Sequence, residues 1–151
     1  MRLTTRGRYA VTAMLDLSYH GAGKPISLAE ISHRQDISLS YLEQLFAKLR
    51  RCGLVRSVRG PGGGYVLGEK PEEISIAAII RAVDEPIRAT SCTGEAEKVC
   101  RPGSSNPNNP SRCITHHLWE NVGEHLNRYL ESLDLAHLQA DMLASALRGD
   151  A

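Results

Sequence analysis

Residues 60–64 read Gly-Pro-Gly-Gly-Gly, and no other segment restricts the fold of this chain as much. Four glycines and a proline can continue neither a helix nor a paired strand, so the backbone must reverse there. Residues 54–59 and 65–67 on either side carry Val, Leu and Tyr, and predict two short strands closed into a hairpin.

Three helical segments precede the hairpin. Over residues 5–20, Tyr9, Ala13, Met14 and Leu17 recur at helical spacing, and Gly21, Gly23 and Pro25 stop the pattern. Ser27 and Glu30 have capping-box spacing, in which each side chain satisfies an amide that the helix start leaves unpaired. They open a short helix to about Gln35. After a break at Asp36-Ile37, a third helix begins around Ser38-Leu39-Ser40. It puts Leu42, Leu45, Phe46 and Leu49 on one face and Ser40, Glu43, Gln44, Lys48 and Arg51 on the other, with Gly53 placed as its left-handed stop. Beyond the hairpin, Ser75 caps a helix carrying Ile76, Ile79, Ile80 and Val83 that ends near Asp84-Glu85-Pro86. Three helices followed by a hairpin is the order of a winged helix-turn-helix. The expected class is mostly α with a small β-hairpin wing, and residues 1–85 form this domain.

Residues 86–112 read as a loop containing Cys92 and Cys100, in which residues 101–110 are mostly Pro, Gly, Ser and Asn, a composition unable to pack. Residues 113–151 follow as a long helix and a shorter C-terminal one. Ile114, Leu118, Trp119, Val122, Leu126, Tyr129, Leu130 and Leu133 make one stripe of the long helix. At 1.5 Å per residue that helix is about 30 Å long, too long for so small a domain to cover. Its stripe is expected to be buried against a second copy, which makes the chain a homodimer.

Charge is distributed unevenly. Residues 1–70 hold eleven Lys/Arg against five Asp/Glu, while residues 71–151 hold seven against twelve. A basic first half suits a polyanion, and the acidic second half argues against a general membrane-surface role. No run approaches the ~20 apolar residues that span a bilayer. The opening MRLTTRGRYAVTAML lacks the apolar core and small-residue site of an export signal, so a cytoplasmic location is expected. In that setting four cysteines point to metal or redox chemistry before disulfides.

The second helix of a helix-turn-helix lies in the DNA major groove with its first residues at base edges. Here those are Ser38, Ser40, Tyr41, Glu43 and Gln44. Ser and Gln can hydrogen-bond bases; Glu43 can accept from a cytosine amino group but repels phosphate, so it restricts the sequences bound. Arg56 and Arg59 precede the bare tip that starts at Gly60, and an arginine carried on such a tip can enter a narrow minor groove. A phosphate-cradling loop is set aside, because those lead from a strand into a helix. The expected partner is a double-stranded DNA operator.

Cys92, Cys100 and Cys113 fall within 22 residues and His116 follows, a soft-ligand set able to hold a metal or an iron–sulfur cluster. Cys113 and His116 stand at i and i+3 of the expected helix start, sharing one face; His117 at i+4 shares it too. The gaps of seven, twelve and two residues are looser than zinc knuckles, leaving cluster, zinc and thiol–disulfide chemistry open.

The stretches MRLTTRGRYAVTAMLDL, ISLSYLEQLFAKLR and GLVRSVRGPGGGYVLG, with the Cys/Cys/Cys/His set, resemble the IscR-type iron–sulfur cluster assembly regulators, within a bacterial family of cluster- and redox-sensing repressors. The resemblance runs to about residue 140. It implies that Ser40, Glu43 and Gln44 contact bases, that Glu43 discriminates between two operator classes, and that Arg59 contacts the minor groove. It also implies a [2Fe–2S] cluster on Cys92, Cys100, Cys113 and His116, delivered by the iron–sulfur assembly machinery. The family pattern has five residues in each of the first two gaps, where this chain has two and seven more. Nitric-oxide-sensing relatives take an aspartate ligand from the first helix; the corresponding position here is Arg8, which cannot ligate. The expected role is a repressor of cluster-biogenesis genes. The rivals are a cluster-free repressor whose three loop cysteines form disulfides and a zinc-stabilised interaction protein. With no HExxH, phosphate-binding loop or nucleophile elbow, no enzyme is expected.

Overall fold

The computed structural model describes residues 4–85, 87, 105–106 and 109–149. Its elements run α1 (Thr5–Gly21), α2 (Leu28–Gln35), α3 (Leu39–Arg51), β1 (Val55–Val58), β2 (Gly64–Leu67), a 3-10 turn (Pro71–Glu73), α4 (Ile76–Ala82), β3 (Ser105–Asn106), β4 (Asn109–Cys113), α5 (His116–Ser132) and α6 (Leu135–Arg148). Two compact units result: a larger one of residues 3–86 with 130–151, and a smaller one built around residues 87–129. Among the described residues no helix is long and apolar enough to cross a membrane.

Local chemistry sets the helix ends of the larger unit. Ser27 Oγ accepts from the Glu30 amide at 3.2 Å while Glu30 Oε2 accepts from the Ser27 amide at 2.8 Å, completing the expected capping box. Asp36, left-handed at φ 52°, closes α2, and Gly53 at φ 77° follows α3. Ser38 and Ser75 cap α3 and α4 by accepting from the amides of Tyr41 and Ala78.

Leu42, Leu45, Phe46 and Leu49 are at most 2% exposed and pack with Ile31, Val55, Ile79, Ile80 and Val83 in the core. In α1 the buried stripe is Ala10, Ala13, Met14 and Leu17, not the expected one beginning at Tyr9. Tyr9 is 38% exposed, and its ring meets Tyr41 edge to face, with centroids 5.9 Å apart. Alanine, with no hydroxyl to keep solvated, takes the interior position.

Two carboxylates are buried with partners. Asp16, in the middle of α1, accepts from Arg34 Nε and Nη2 (2.6–3.2 Å) and from Gln35 Nε2 at 2.7 Å. Burial alone would raise its pKa; the hydrogen bonds from Arg34 and then Gln35, with the guanidinium charge, outweigh this and hold it below the ordinary value. Glu85 accepts from the amides of Thr4 and Gly7, supplying the N-terminus of α1 with the cap its own Thr4 side chain does not make. A Cβ on Gly7 would strike that carboxylate, so glycine is required there.

The last helix packs on the same unit. Asp134 pairs with Ser75 in an antiparallel bridge, with Ile76 N donating to Leu133 O at 2.9 Å and Leu135 N to Ile74 O at 3.1 Å. Leu135 is fully buried and Gln139 donates to Ser18 of α1.

The smaller unit departs from expectation. Part of the stretch whose composition reads as unable to pack is paired: β3 and β4 form an antiparallel ladder. A hairpin needs backbone partners, not apolar side chains, and Ser, Asn and Pro suit its ends. Cys113 therefore closes a strand, and α5 starts at His116 after a turn at Ile114-Thr115. The shared helix face expected for Cys113 and His116 is not formed.

Candidate nucleic-acid interface

The core residues of α3 fix which side it turns outward. Ser40, Glu43, Gln44, Ala47 and Arg51 are exposed along one stripe. Ser38 sits at the N-cap, where its oxygen accepts the Tyr41 amide at 3.3 Å and its hydroxyl hydrogen remains to be donated. Tyr41 is half-buried against Tyr9. Lys48, one turn beyond Gln44, reaches Asp84 with Nζ 2.7 Å from Oδ2.

The hairpin pairs Val55 with Leu67, Arg56 with Val66, Ser57 with Tyr65 and Val58 with Gly64. Ile26, between α1 and α2, exchanges both backbone hydrogen bonds with Tyr65 (2.8 and 3.0 Å), and the Tyr65 ring meets Phe46 at 5.0 Å. These contacts anchor the wing to the base of α3. At the tip Gly63 N donates to Gly60 O, and Gly60 and Gly62 adopt φ 105° and 71°, which favour glycine. Any side chain on Gly64 would collide with the Ile26 backbone.

Arg59 and Gly60 are exposed at this tip. Arg56 is not brought beside them. Strand alternation turns it, with Val66, away from the face of Val55 and Tyr65. There it lines a shallow depression with Leu17, Lys24 and Glu69.

Of the expected ligands, Cys92 and Cys100 lie outside the described residues. Cys113 is the last residue of β4 and His116 the first of α5. The His116 side chain is 15% exposed, with Nε2 3.7 Å from Glu120 Oε2; that of His117 is 77% exposed, with Nδ1 3.8 Å from the same oxygen. Among the described residues no group of three or more His, Cys, Asp or Glu is arranged to hold a metal ion. No residue of α5 is buried, and Leu118, Trp119 and Tyr129 are 54%, 43% and 62% exposed.

Three features escaped the sequence reading: the Tyr9–Tyr41 contact, the Lys48–Asp84 pair and the carboxylate cap of Glu85. Only the Lys48 position, four residues past Gln44 on α3, carried a signal.

A polar reading stripe on the second helix of the helix-turn-helix, flanked by a glycine-tipped wing, defines a winged-helix DNA-binding transcription regulator. Residues 3–141 match the Rrf2 family of iron-dependent transcriptional regulators, and the chain belongs to that family. It is 52% identical over 141 residues to the HTH-type transcriptional regulator IscR of Aliivibrio salmonicida, covering 93% of this chain and 79% of that one. Identity to IscR of Serratia proteamaculans is 53% over 138 residues, covering 91% and 79%. Among solved structures, T. potens IscR superposes with a TM-score of 0.72 at 36% identity, covering 94% of this chain and 88% of that one. The global cysteine regulator CymR of B. subtilis gives 0.72 at 33%, covering 93% and 97%. Relatives named as transcriptional regulators are not enzymes, in line with the motif reading.

Proposed function

We propose that this regulator is a cytoplasmic homodimer that senses iron–sulfur status through a [2Fe–2S] cluster and represses cluster-biogenesis genes. The observation that carries the reading is the exposed Ser40/Glu43/Gln44 stripe and glycine wing in a chain half identical to proteins named IscR and holding a Cys/Cys/Cys/His donor set. Residues 1–85 read DNA, residues 86–112 supply ligands, and residues 113–151 join the two copies.

On the duplex, Ser40 and Gln44 hydrogen-bond base edges in the major groove, and Glu43 accepts from a cytosine amino group while penalising other sequences. Ser38 and Tyr41 set the depth of the helix end, the first as its cap and the second through its ring contact with Tyr9. Arg59 enters the minor groove, Gly60 leaves room for the sugar-phosphate backbone, and Arg56 meets a phosphate farther down the wing.

The donor chemistry fits the cluster: three thiolates with one imidazole are ligand types that iron–sulfur centres accept. Cys92, Cys100, Cys113 and His116 would hold it. Partial burial of His116 favours it over the solvated His117. When bound, the cluster supplies an oxidant-labile cross-link, whose histidine ligand raises its potential relative to an all-thiolate site. The assembly machinery is the cluster donor. The exposed apolar stripe of α5 supports burial against a second copy, which would set the spacing of two reading heads on a pseudo-palindrome.

Purification without oxygen, with iron, sulfide and zinc quantified, tests this. Equal iron and sulfide should be found, and both should be lost when Cys92, Cys100, Cys113 or His116 is changed to Ala. Zinc alone, or metal-free protein whose DNA affinity responds to oxidants, would refute the cluster.

A further inference from the structure

We propose that Asp84 is a built-in competitor for DNA phosphate that holds Lys48, at the rim of the reading helix, away from the duplex. The inference rests on α3 being the reading helix. A 13-residue helix is about 20 Å long, whereas the major groove is about 12 Å wide. With Ser40 to Gln44 at base edges, the next turn of α3 leaves the groove at its phosphate wall. Lys48 lies on that turn, about 6 Å beyond Gln44 along the axis. It is the position from which a lysine would contact backbone phosphate.

In the free protein its ammonium is already occupied. Lys48 Nζ lies 2.7 Å from Asp84 Oδ2, with the two side chains 28% and 73% exposed. An exposed ion pair of this kind contributes little to stability, so stability does not account for a carboxylate in this place. The backbone beneath it is fixed. The Asp84 amide donates to Arg81 O at 3.1 Å, and Asp84 has the left-handed φ of 58°. The next residue, Glu85, is buried and bonded to the amides at the start of α1. Lys48, with further help from Arg51 and Arg6, lowers the pKa of Asp84, which keeps it ionised at neutral pH. A fixed anion thus stands where the DNA backbone must pass, neutralising a lysine that would otherwise release a counterion on binding.

The test uses the full chain and a duplex selected by the wild-type protein from a random pool, with affinity measured by fluorescence anisotropy over a salt series. Asp84→Asn removes the charge without straining the backbone, since asparagine tolerates left-handed φ; Asp84→Gly is the second variant should the first fold poorly. Either should tighten binding about threefold to tenfold at low salt and steepen the plot of log affinity against log salt by about 0.9, one additional phosphate contact. The steepening should vanish when Lys48→Gln is added. An unchanged slope, or a steeper one that survives loss of Lys48, overturns the proposal. Gln44→Ala in parallel separates the two levels of inference. If it leaves sequence preference unchanged, the reading-helix assignment fails and not only the role of Asp84.

Discussion

Replacing Arg34 with methionine should destabilise the larger unit by about 2–3 kcal/mol at neutral pH. The Asp16 side chain is fully buried, and Arg34 meets both its oxygens through Nε and Nη2. Breaking a buried ion pair by removing one partner costs about 3–5 kcal/mol. Two features reduce that here: Arg34 is 28% exposed, so water already screens its end, and Gln35 still donates to the stranded carboxylate at 2.7 Å. With a urea slope of about 2 kcal/mol/M, the unfolding midpoint followed by circular dichroism should fall by about 1–1.5 M. The pH dependence has a definite sign. The folded pKa of Asp16 is depressed, so the stability it contributes is complete above the unfolded value of about 3.9 and is lost as pH falls through the lower folded value. In the variant, burial dominates and raises that pKa, so protonation relieves the stranded charge earlier. The gap between the two proteins should be widest at pH 7 and close progressively towards about pH 3. Asp16→Leu combined with Arg34→Met should recover most of the loss. A midpoint shift under about 0.3 M at pH 7, or a gap of equal size at low pH, would show that the pair does not act as argued.

Arg59→Ala should weaken operator binding and flatten its salt dependence by about 0.9 in log–log slope; an unchanged slope would remove the wing from the interface. Leu118→Glu with Trp119→Glu should halve the mass seen by sedimentation while the circular dichroism of the winged domain persists. A dimer that survives both charges would place the subunit interface elsewhere.

The capping serines, the apolar stripe of α3 and the glycine tip were legible because each depends on residues within about four positions of one another. Periodicity and capping are local rules, and the chain obeys them at Ser27, Leu42 to Leu49 and Gly53. The sensor region was less legible. Loop-forming composition concealed a short ladder, and helical spacing misassigned Cys113, because strand pairing is set by a partner segment and not by the residue's own neighbours. The choice of Ala10 over Tyr9 for the interior was also hidden, since both fit a helical stripe and only packing against α3 distinguishes them.

Sequence alone therefore determined the order of elements, the outward polar stripe of the third helix and the inventory of sulfur and imidazole donors. Tertiary structure decided the pairings across long separations: Asp16 with Arg34, Lys48 with Asp84, Glu85 with the start of α1, and Asp134 with Ser75. Charge and hydrogen-bonding capacity are written into each residue, but which groups meet depends on how the helices cross. That crossing follows from packing of the whole core, which no local segment encodes.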